Sequence, residues 1–246
     1  MPLTPASAPA NQPGFFRRNW LYLTGTLIFI LVNLGFVLTG NQGDTLIAIN
    51  KLRSPFWDVF FRIGTKFAEP EAYAGVLLIV TAFSYRKGIF AVIAGSSAGI
   101  ASGLLKASFG QPRPLRWFTD EGLWESLTHF DEAYRNWGDA TSFPSGHATS
   151  AFALYGFLAY CAVRGKKRVH LICLFFASMV AFSRMYLLYH FQRDITAGAA
   201  LGLFVGIVVF LLMKRFFPNA AWMDQGWLDL FRKDPAIKVR APLPGE

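Results

Sequence analysis

Six apolar stretches, each bounded by polar or basic residues, constrain this chain more than any other feature. They cover residues 20–38, 70–85, 88–105, 148–163, 169–186 and 195–213. At a rise of about 1.5 Å per residue, helices of this length cross or nearly cross a hydrocarbon core about 30 Å thick. Only 16% of the 246 residues are charged and 53% are hydrophobic, too little charge for a water-facing surface. The expected fold is all-α: a polytopic membrane protein with six transmembrane helices, an interfacial helix and a long extracytoplasmic loop. For the first stretch a cleaved signal peptide is the rival reading. The run is long for one, and no A-x-A site follows it.

Between the first two stretches, residues 44–66 mix Asp44, Lys51, Arg53, Asp58, Arg62 and Lys66 with many apolar residues at partly helical spacing. This reads as a helix lying in the interface or as a packed extracytoplasmic loop. In the second stretch Glu69 and Glu71 are expected at one interface, with Arg86 and Lys87 snorkelling at the other. Gly95, Ser96, Ser97, Ala98 and Gly99 in the third favour close helix packing.

The net charge of +9 comes without a basic stripe or a nucleic-acid motif, so no nucleic acid partner is expected. Arg17 and Arg18, Arg86 and Lys87, the 164–168 run, and Lys214 and Arg215 fall on one side of a six-helix plan. By the positive-inside rule that side is cytoplasmic, with both termini. The stretches 39–69, 106–147 and 187–194 then face outward. The chain divides into a flexible cytoplasmic tail (1–19), a membrane domain (20–215) and a cytoplasmic C-terminal tail (216–246). Membrane lipids, anionic head groups among them, are the expected surroundings. Cys161 and Cys173 lie in apolar stretches and read as reduced packing residues.

Three polar clusters fall at the outer ends of the spans, where charge is costly and points to function. In the first, Lys106 and Arg113 flank six residues, with Pro112 and Pro114 as stiffeners. Two such cations can grip an anion or act as interfacial anchors. The second, Ser142-Phe143-Pro144-Ser145-Gly146-His147, opens the fourth span. A helix start with Ser and Gly offers free N–H groups and a positive dipole end to an anion, and His147 can pass a proton to a leaving oxygen. The third runs from Ser183-Arg184 to His190 and Asp194. His190 and Asp194 are four apart and would share a helix face. An Asp on Nδ1 would leave Nε2 as a nucleophile, and Arg184 adds a fork suited to phosphate. Anion grip beside a paired histidine indicates phosphoryl transfer.

The spacings K-x6-R-P (Lys106–Pro114), P-S-G-H (Pro144–His147) and S-R-x5-H-x3-D (Ser183–Asp194) resemble the three-part signature of the type 2 phosphatidic acid phosphatase superfamily. That group also holds bacterial acid phosphatases and vanadium haloperoxidases, and the resemblance covers roughly residues 70–213. It implies that His190 attacks phosphorus to form a phosphohistidine, that Asp194 orients it, and that His147 protonates the leaving group and then activates water. It further implies that Lys106, Arg113, Arg184, Ser145 and the Gly146 N–H hold the phosphate, with no metal and no cofactor. The expected substrate is a lipid phosphate or diphosphate at the outer face of a bacterial inner membrane: undecaprenyl diphosphate, phosphatidylglycerol phosphate, phosphatidic acid or lipid A. A phosphotransferase using the same intermediate, or a non-catalytic anion-binding membrane protein, are the alternatives. His129 and His170 read as bland. Asp120, Glu121, Glu125, Asp131 and Glu132 read as loop surface. Trp117, Phe118, Trp124, Phe130 and Trp137 read as a lid or a small loop core.

Overall fold

The computed structural model describes residues 14–130, 141–163, 165–218 and 221–231. Expectations for residues 1–13, Asp131, Glu132, Trp137, Arg164 and 232–246 lie outside these. The described residues are helical, without strands. In order they form α1 (Phe15–Thr39), α2 (Asp44–Lys51), α3 (Pro55–Lys66), α4 (Pro70–Phe83), α5 (Tyr85–Phe109), α6 (Pro114–Asp120), α7 (Gly146–Cys161), α8 (Lys166–Tyr186) and α9 (Gln192–Phe216).

Helix α7 is the axis of the bundle. It packs against α9, α8 and α5, with α1 laid on α8 and α9, and α4 on α5. Its Ala148, Ala151, Ala153 and Ala159 are fully buried, and small residues let neighbouring backbones come close. From α9, Gly198, Gly202 and Gly206 meet α7 in turn. A Cβ on them would first touch Ser145 O, Thr149 O and Ala153 O respectively. Helix α1 is turned the other way from a soluble helix. It buries Asn19, Tyr22, Thr26 and Asn33 and exposes Leu27, Ile28, Leu31, Val32 and Phe36. That arrangement suits a hydrocarbon surround.

Four spans, in α1, α5, α8 and α9, are long and apolar enough to cross a membrane on their own. Helix α4, with 14 residues, is shorter than the 70–85 stretch, and α7, with 16, matches the length of the 148–163 stretch but is shorter than the four spans. For α7 the reason is its position, since protein rather than lipid surrounds it. The N-terminal boundary also shifts. Residues from Phe15 onward belong to α1 rather than to a tail, and Asn19 Nδ2 donates to Phe15 O at 3.0 Å.

The 44–66 segment is two helices, not one. Ser54 caps α3, accepting the Trp57 N–H, and Pro55 opens it, a combination that starts helices cleanly. Helix α3 buries Phe61, Gly64 and Thr65 and packs on α8. The described part of the α5–α7 connection is likewise built rather than open. Phe118 and Trp124 are buried. Thr128 is held by Asn50, whose amide donates to its O at 2.7 Å and whose Oδ1 accepts its N–H at 2.9 Å. This favours the loop-core reading for the described aromatics.

At the opposite end Arg86 does not snorkel. It is 6% exposed and pairs with Asp224 at 2.7 Å. Residues 221–231, expected as tail, fold back as two 3₁₀ turns on the α4–α5 corner. There the Tyr85 N–H donates to Gln225 O at 2.8 Å and Trp227 Nε1 to Leu78 O at 3.2 Å. Cys161 and Cys173 are buried free thiols, and buried His170 meets Ala159 O through Nε2 at 3.1 Å.

Candidate active site

Four helix ends meet at one end of the bundle: the C-termini of α5 and α8 and the N-termini of α7 and α9. Lys106 stands in the last turn of α5. Gly110 ends that helix in the left-handed region at φ 54°, where glycine carries no Cβ penalty. Arg184 stands in the last turn of α8 and is 1% exposed. The chain then reverses over residues 187–190, with Leu188 at φ 58°. The N–H groups of Tyr189 and His190 both return to Arg184 O, at 2.8 and 3.1 Å. A leucine held there is a strained residue of the kind that surrounding structure must impose. The reversal brings His190 back onto the bundle axis.

His190 and Asp194 do pair, with Nδ1 to Oδ2 at 3.4 Å, but not along a helix face as the four-residue spacing suggests. His190 precedes α9, and Asp194 sits in its first turn. Asp194 Oδ2 reaches back to accept the Phe191 N–H at 2.9 Å, where the helix dipole favours a carboxylate. The same oxygen accepts Ser142 Oγ at 2.5 Å, and that hydroxyl lies 3.5 Å from His190 Nδ1. Burial lowers the His190 pKa from its ordinary 6.5 to about 3, against the opposing pull of Asp194. The ring is therefore neutral. With Nδ1 facing the carboxylate, Nε2 carries the free lone pair.

Ser145 caps α7. Its Oγ accepts the Ala148 N–H at 3.4 Å, and its N–H donates to Asp194 O at 3.0 Å, which ties α7 to α9 at the site. The N–H groups of Gly146 and His147 have no partner among the described residues. A Cβ placed on Gly146 would lie 3.5 Å from Ser102 Oγ and 3.9 Å from Lys106 Nζ. Ser102 is 2% exposed, and its Oγ also lacks a partner among the described residues. Half-buried His147 is within electrostatic reach of Arg184, His190, Lys106 and Arg113.

The arginines are fixed from behind. Arg184 Nη1 donates to Thr65 Oγ1 at 2.7 Å, and its guanidinium lies 4.1 Å over the Tyr189 ring. Arg113 donates to Tyr189 O and Thr141 O, each at 3.3 Å. The structure thus brings all eight expected residues to one place: His190, Asp194, His147, Lys106, Arg113, Arg184, Ser145 and Gly146. The sequence reading missed Ser142, Ser102 and Thr65. Ser142 stood inside the quoted S-F-P-S-G-H segment and Ser102 one turn before Lys106, whereas Thr65 on α3 carried no signal. Among the described residues no group of three or more His, Cys, Asp or Glu side chains gathers as for a metal.

The fold and site define an integral membrane protein with a histidine–aspartate pair set among basic side chains. The family model described as PAP2 superfamily matches residues 86–218. The chain belongs to the PAP2 superfamily, as an enzyme of its membrane phosphatase branch. It is 29% identical over 177 residues to the lipid A 4'-phosphatase of Bacteroides thetaiotaomicron, covering 69% of this chain and 76% of that protein. It is 39% identical over 82 residues to phosphatidylglycerophosphatase B of Bacillus subtilis, covering 30% of this chain and 38% of that protein. Among solved structures, Aquifex aeolicus LpxE matches with TM-score 0.57 at 24% identity, over 69% of this chain and 94% of its own. The transmembrane PAP2 type phosphatidylglycerolphosphate phosphatase of Bacillus subtilis matches with TM-score 0.57 at 23% identity, over 80% and 98%. These two likenesses are of fold.

Proposed function

We propose that this chain hydrolyses a lipid phosphate or diphosphate through a phosphohistidine on His190, without a metal. The observation that carries this is the neutral, Asp194-paired His190 facing the α7 N-terminus amid Lys106, Arg113 and Arg184. In the first step His190 Nε2 attacks phosphorus, the P–O bond to the lipid breaks, and His147, which takes up a proton once the phosphate dianion offsets the cations around it, gives that proton to the leaving oxygen. Asp194 holds the Nδ1 proton and stabilises the positive ring. In the second step His147 takes a proton from water as the water oxygen attacks phosphorus and the P–N bond breaks. The three cations, Ser145 and the Gly146 N–H stabilise charge on the equatorial oxygens, where fixed donors act most strongly.

The membrane arrangement that goes with this reading has six spans, α1, α4, α5, α7, α8 and α9. Helices α2 and α3 lie at the interface, both termini are cytoplasmic, and the site faces outward across a bacterial inner membrane. The 20–215 region is the catalytic membrane domain. The names of the relatives support lipid A phosphates and phosphatidylglycerol phosphate as candidate substrates, alongside undecaprenyl diphosphate and phosphatidic acid.

The test is phosphate release by detergent-purified protein in EDTA with these four lipids, using His190→Ala as control. Expected is release that the variant lowers by more than about a thousandfold. Folded protein that releases nothing refutes hydrolysis. Release that survives His190→Ala refutes the nucleophile.

A further inference from the structure

A cavity of about 870 Å³ lies beside the histidine centre rather than over it. Helix α3 forms one wall with Arg62 and Lys66, and His129, Phe130 and Tyr189 line it from the other elements. Two features join it to the site. Thr65 lines the cavity and also holds Arg184 Nη1 at 2.7 Å. Tyr189 lines it too, covers the Arg184 guanidinium, and immediately precedes His190. The Tyr189 hydroxyl is within electrostatic reach of Arg62 and Glu69 on one side and of Arg184 and Arg113 on the other. One residue thus separates two basic compartments.

Arg62 and Lys66 are one turn apart and share a face of α3. Among the described residues neither has a carboxylate within ion-pair distance. Arg62 lies 5.0 Å over the Phe130 ring, and Glu69 is the one acid lining the cavity with them. The mechanism gives these cations nothing to do. From Ile63, Lys66 and Glu69 a second depression of about 410 Å³ continues to Phe67 and Ala72 at the α3–α4 corner. Beyond it α4 exposes Leu78 and Ile79. A head group of sugar or glycerol size fits the first space, and its chains have a way out past Ile63, Phe67 and Ala72 of the second, whose charged lining is Lys66, Glu69 and Glu71.

We propose that this cavity is a head-group site for lipids that carry a second anionic group beside the phosphate being cleaved, and that Arg62 and Lys66 bind that second group. The proposal rests on the lipid phosphatase reading above and narrows its substrate class. Phosphatidylglycerol phosphate, a diphosphate lipid and bis-phosphorylated lipid A carry such a group, whereas phosphatidic acid does not.

The experiment compares matched lipids in mixed micelles: phosphatidylglycerol phosphate against phosphatidic acid, and bis-phosphorylated against 4'-monophosphorylated lipid A. The proteins are wild type, the double variant Arg62→Gln/Lys66→Gln, and the charge-keeping Arg62→Lys/Lys66→Arg. Expected is a loss of about tenfold in kcat/KM on a bis-anionic lipid, mostly in KM, corresponding to about 1.4 kcal/mol. The loss on its mono-anionic partner should be at least five times smaller, roughly, and the charge-keeping pair should recover most of it. Equal losses on both members of each pair, or no loss, overturn the head-group site alone. Wild type that prefers the mono-anionic lipids overturns it as well. Inhibition by inorganic phosphate is the third arm. If it weakens in parallel with KM on every lipid, the cations bind free phosphate and the proposal fails. Wild type that cleaves no lipid overturns the phosphatase reading and this one with it.

Discussion

Gly198→Ala tests whether the contact of α9 with α7 sets the catalytic geometry. A Cβ at 198 would lie 2.7 Å from Ser145 O, 3.0 Å from Ala148 Cβ and 3.2 Å from Thr149 N. Ordinary contact begins near 3.4 Å, so the closest pair is about 0.7 Å too near and the helices must part by roughly 0.5 Å or more, against backbone atoms that cannot swing aside. The movement falls one turn from Asp194 and at the very bond, Ser145 N to Asp194 O at 3.0 Å, that joins the two helices. It shifts His190 and Asp194 against His147 and the free α7 N–H groups. Overpacking of this kind costs about 1–3 kcal/mol. A displacement near 1 Å costs roughly a hundredfold in rate, so half of that predicts a kcat lower by about tenfold or more. The assay is phosphate release with a thermal melt on the same monodisperse preparation. Gly206→Ala is the control. Its Cβ would lie 3.0 Å from Ala153 O, two turns further from the site, so it should lower the melting temperature with little effect on kcat. The reasoning is refuted if folded Gly198→Ala keeps kcat within about twofold of wild type, or if Gly206→Ala loses as much activity.

Ser142→Ala removes one donor from the buried Asp194 carboxylate. At about 1.5–3 kcal/mol for a hydrogen bond to a charged group, kcat/KM should drop at least about tenfold. An unchanged value would show that the Phe191 N–H and His190 suffice to hold the acid. For pH, the folded chain refuses a proton at His190 that the unfolded chain takes up below 6.5. Stability is therefore full above about 6.5 and falls as pH drops toward about 3. The loss approaches about 1.4 kcal/mol per pH unit, about 2 kcal/mol by pH 5. Melting curves from pH 7 to 5 should fall more steeply for wild type than for His190→Gln, and parallel curves would refute the assignment. At the far end, a Cβ on Gly226 would collide with Ala82 O. Gly226→Ala should lower the melting temperature by a few degrees, about 1–3 kcal/mol, and leave kcat alone. A large loss of kcat would mean that the two ends of the bundle are coupled.

The apolar helices were legible because lipid-facing and buried helix residues are both apolar, so composition alone marks them, though it does not say how many of them cross a membrane. Their ends were read to within a few residues, since Pro70 and Ser145 are local start signals, whereas the Ser84 cap that starts α5 at Tyr85 went unread. What composition cannot show is which helix touches which. The glycines at 198, 202 and 206 mark a face for close approach, but only the folded chain pairs that face with α7. Arg86 illustrates the same limit. A cation at a span end reads as snorkelling, and its partner Asp224 lies 138 residues away. Thr65 was invisible for a like reason, since a threonine on an amphipathic helix has no signature until Arg184 is placed beside it.

The eight expected residues were legible as a group because they cluster at the ends of apolar stretches, and for three of them the helix ends impose a charge rule of their own. Cations are favoured in last turns and carboxylates in first turns. Lys106 and Arg184 occupy last turns, and Asp194 a first turn. Each charge is thus stabilised by its own helix before any substrate arrives. Joining four such ends then adds something that no single helix contains. The cations Lys106, Arg113, Arg184 and Arg193 outnumber the single buried carboxylate of Asp194 at one spot. Arg193 is partly answered by Asp194 Oδ1 at 3.6 Å and by Gln111 at 3.0 Å. The others face a helix N-terminus that is itself positive. A phosphate dianion is the simplest ion that would relieve this excess, and fixed donors here would meet its oxygens without the reorganisation that water requires. The same residues that let the helix ends meet therefore give this end of the bundle an excess of positive charge.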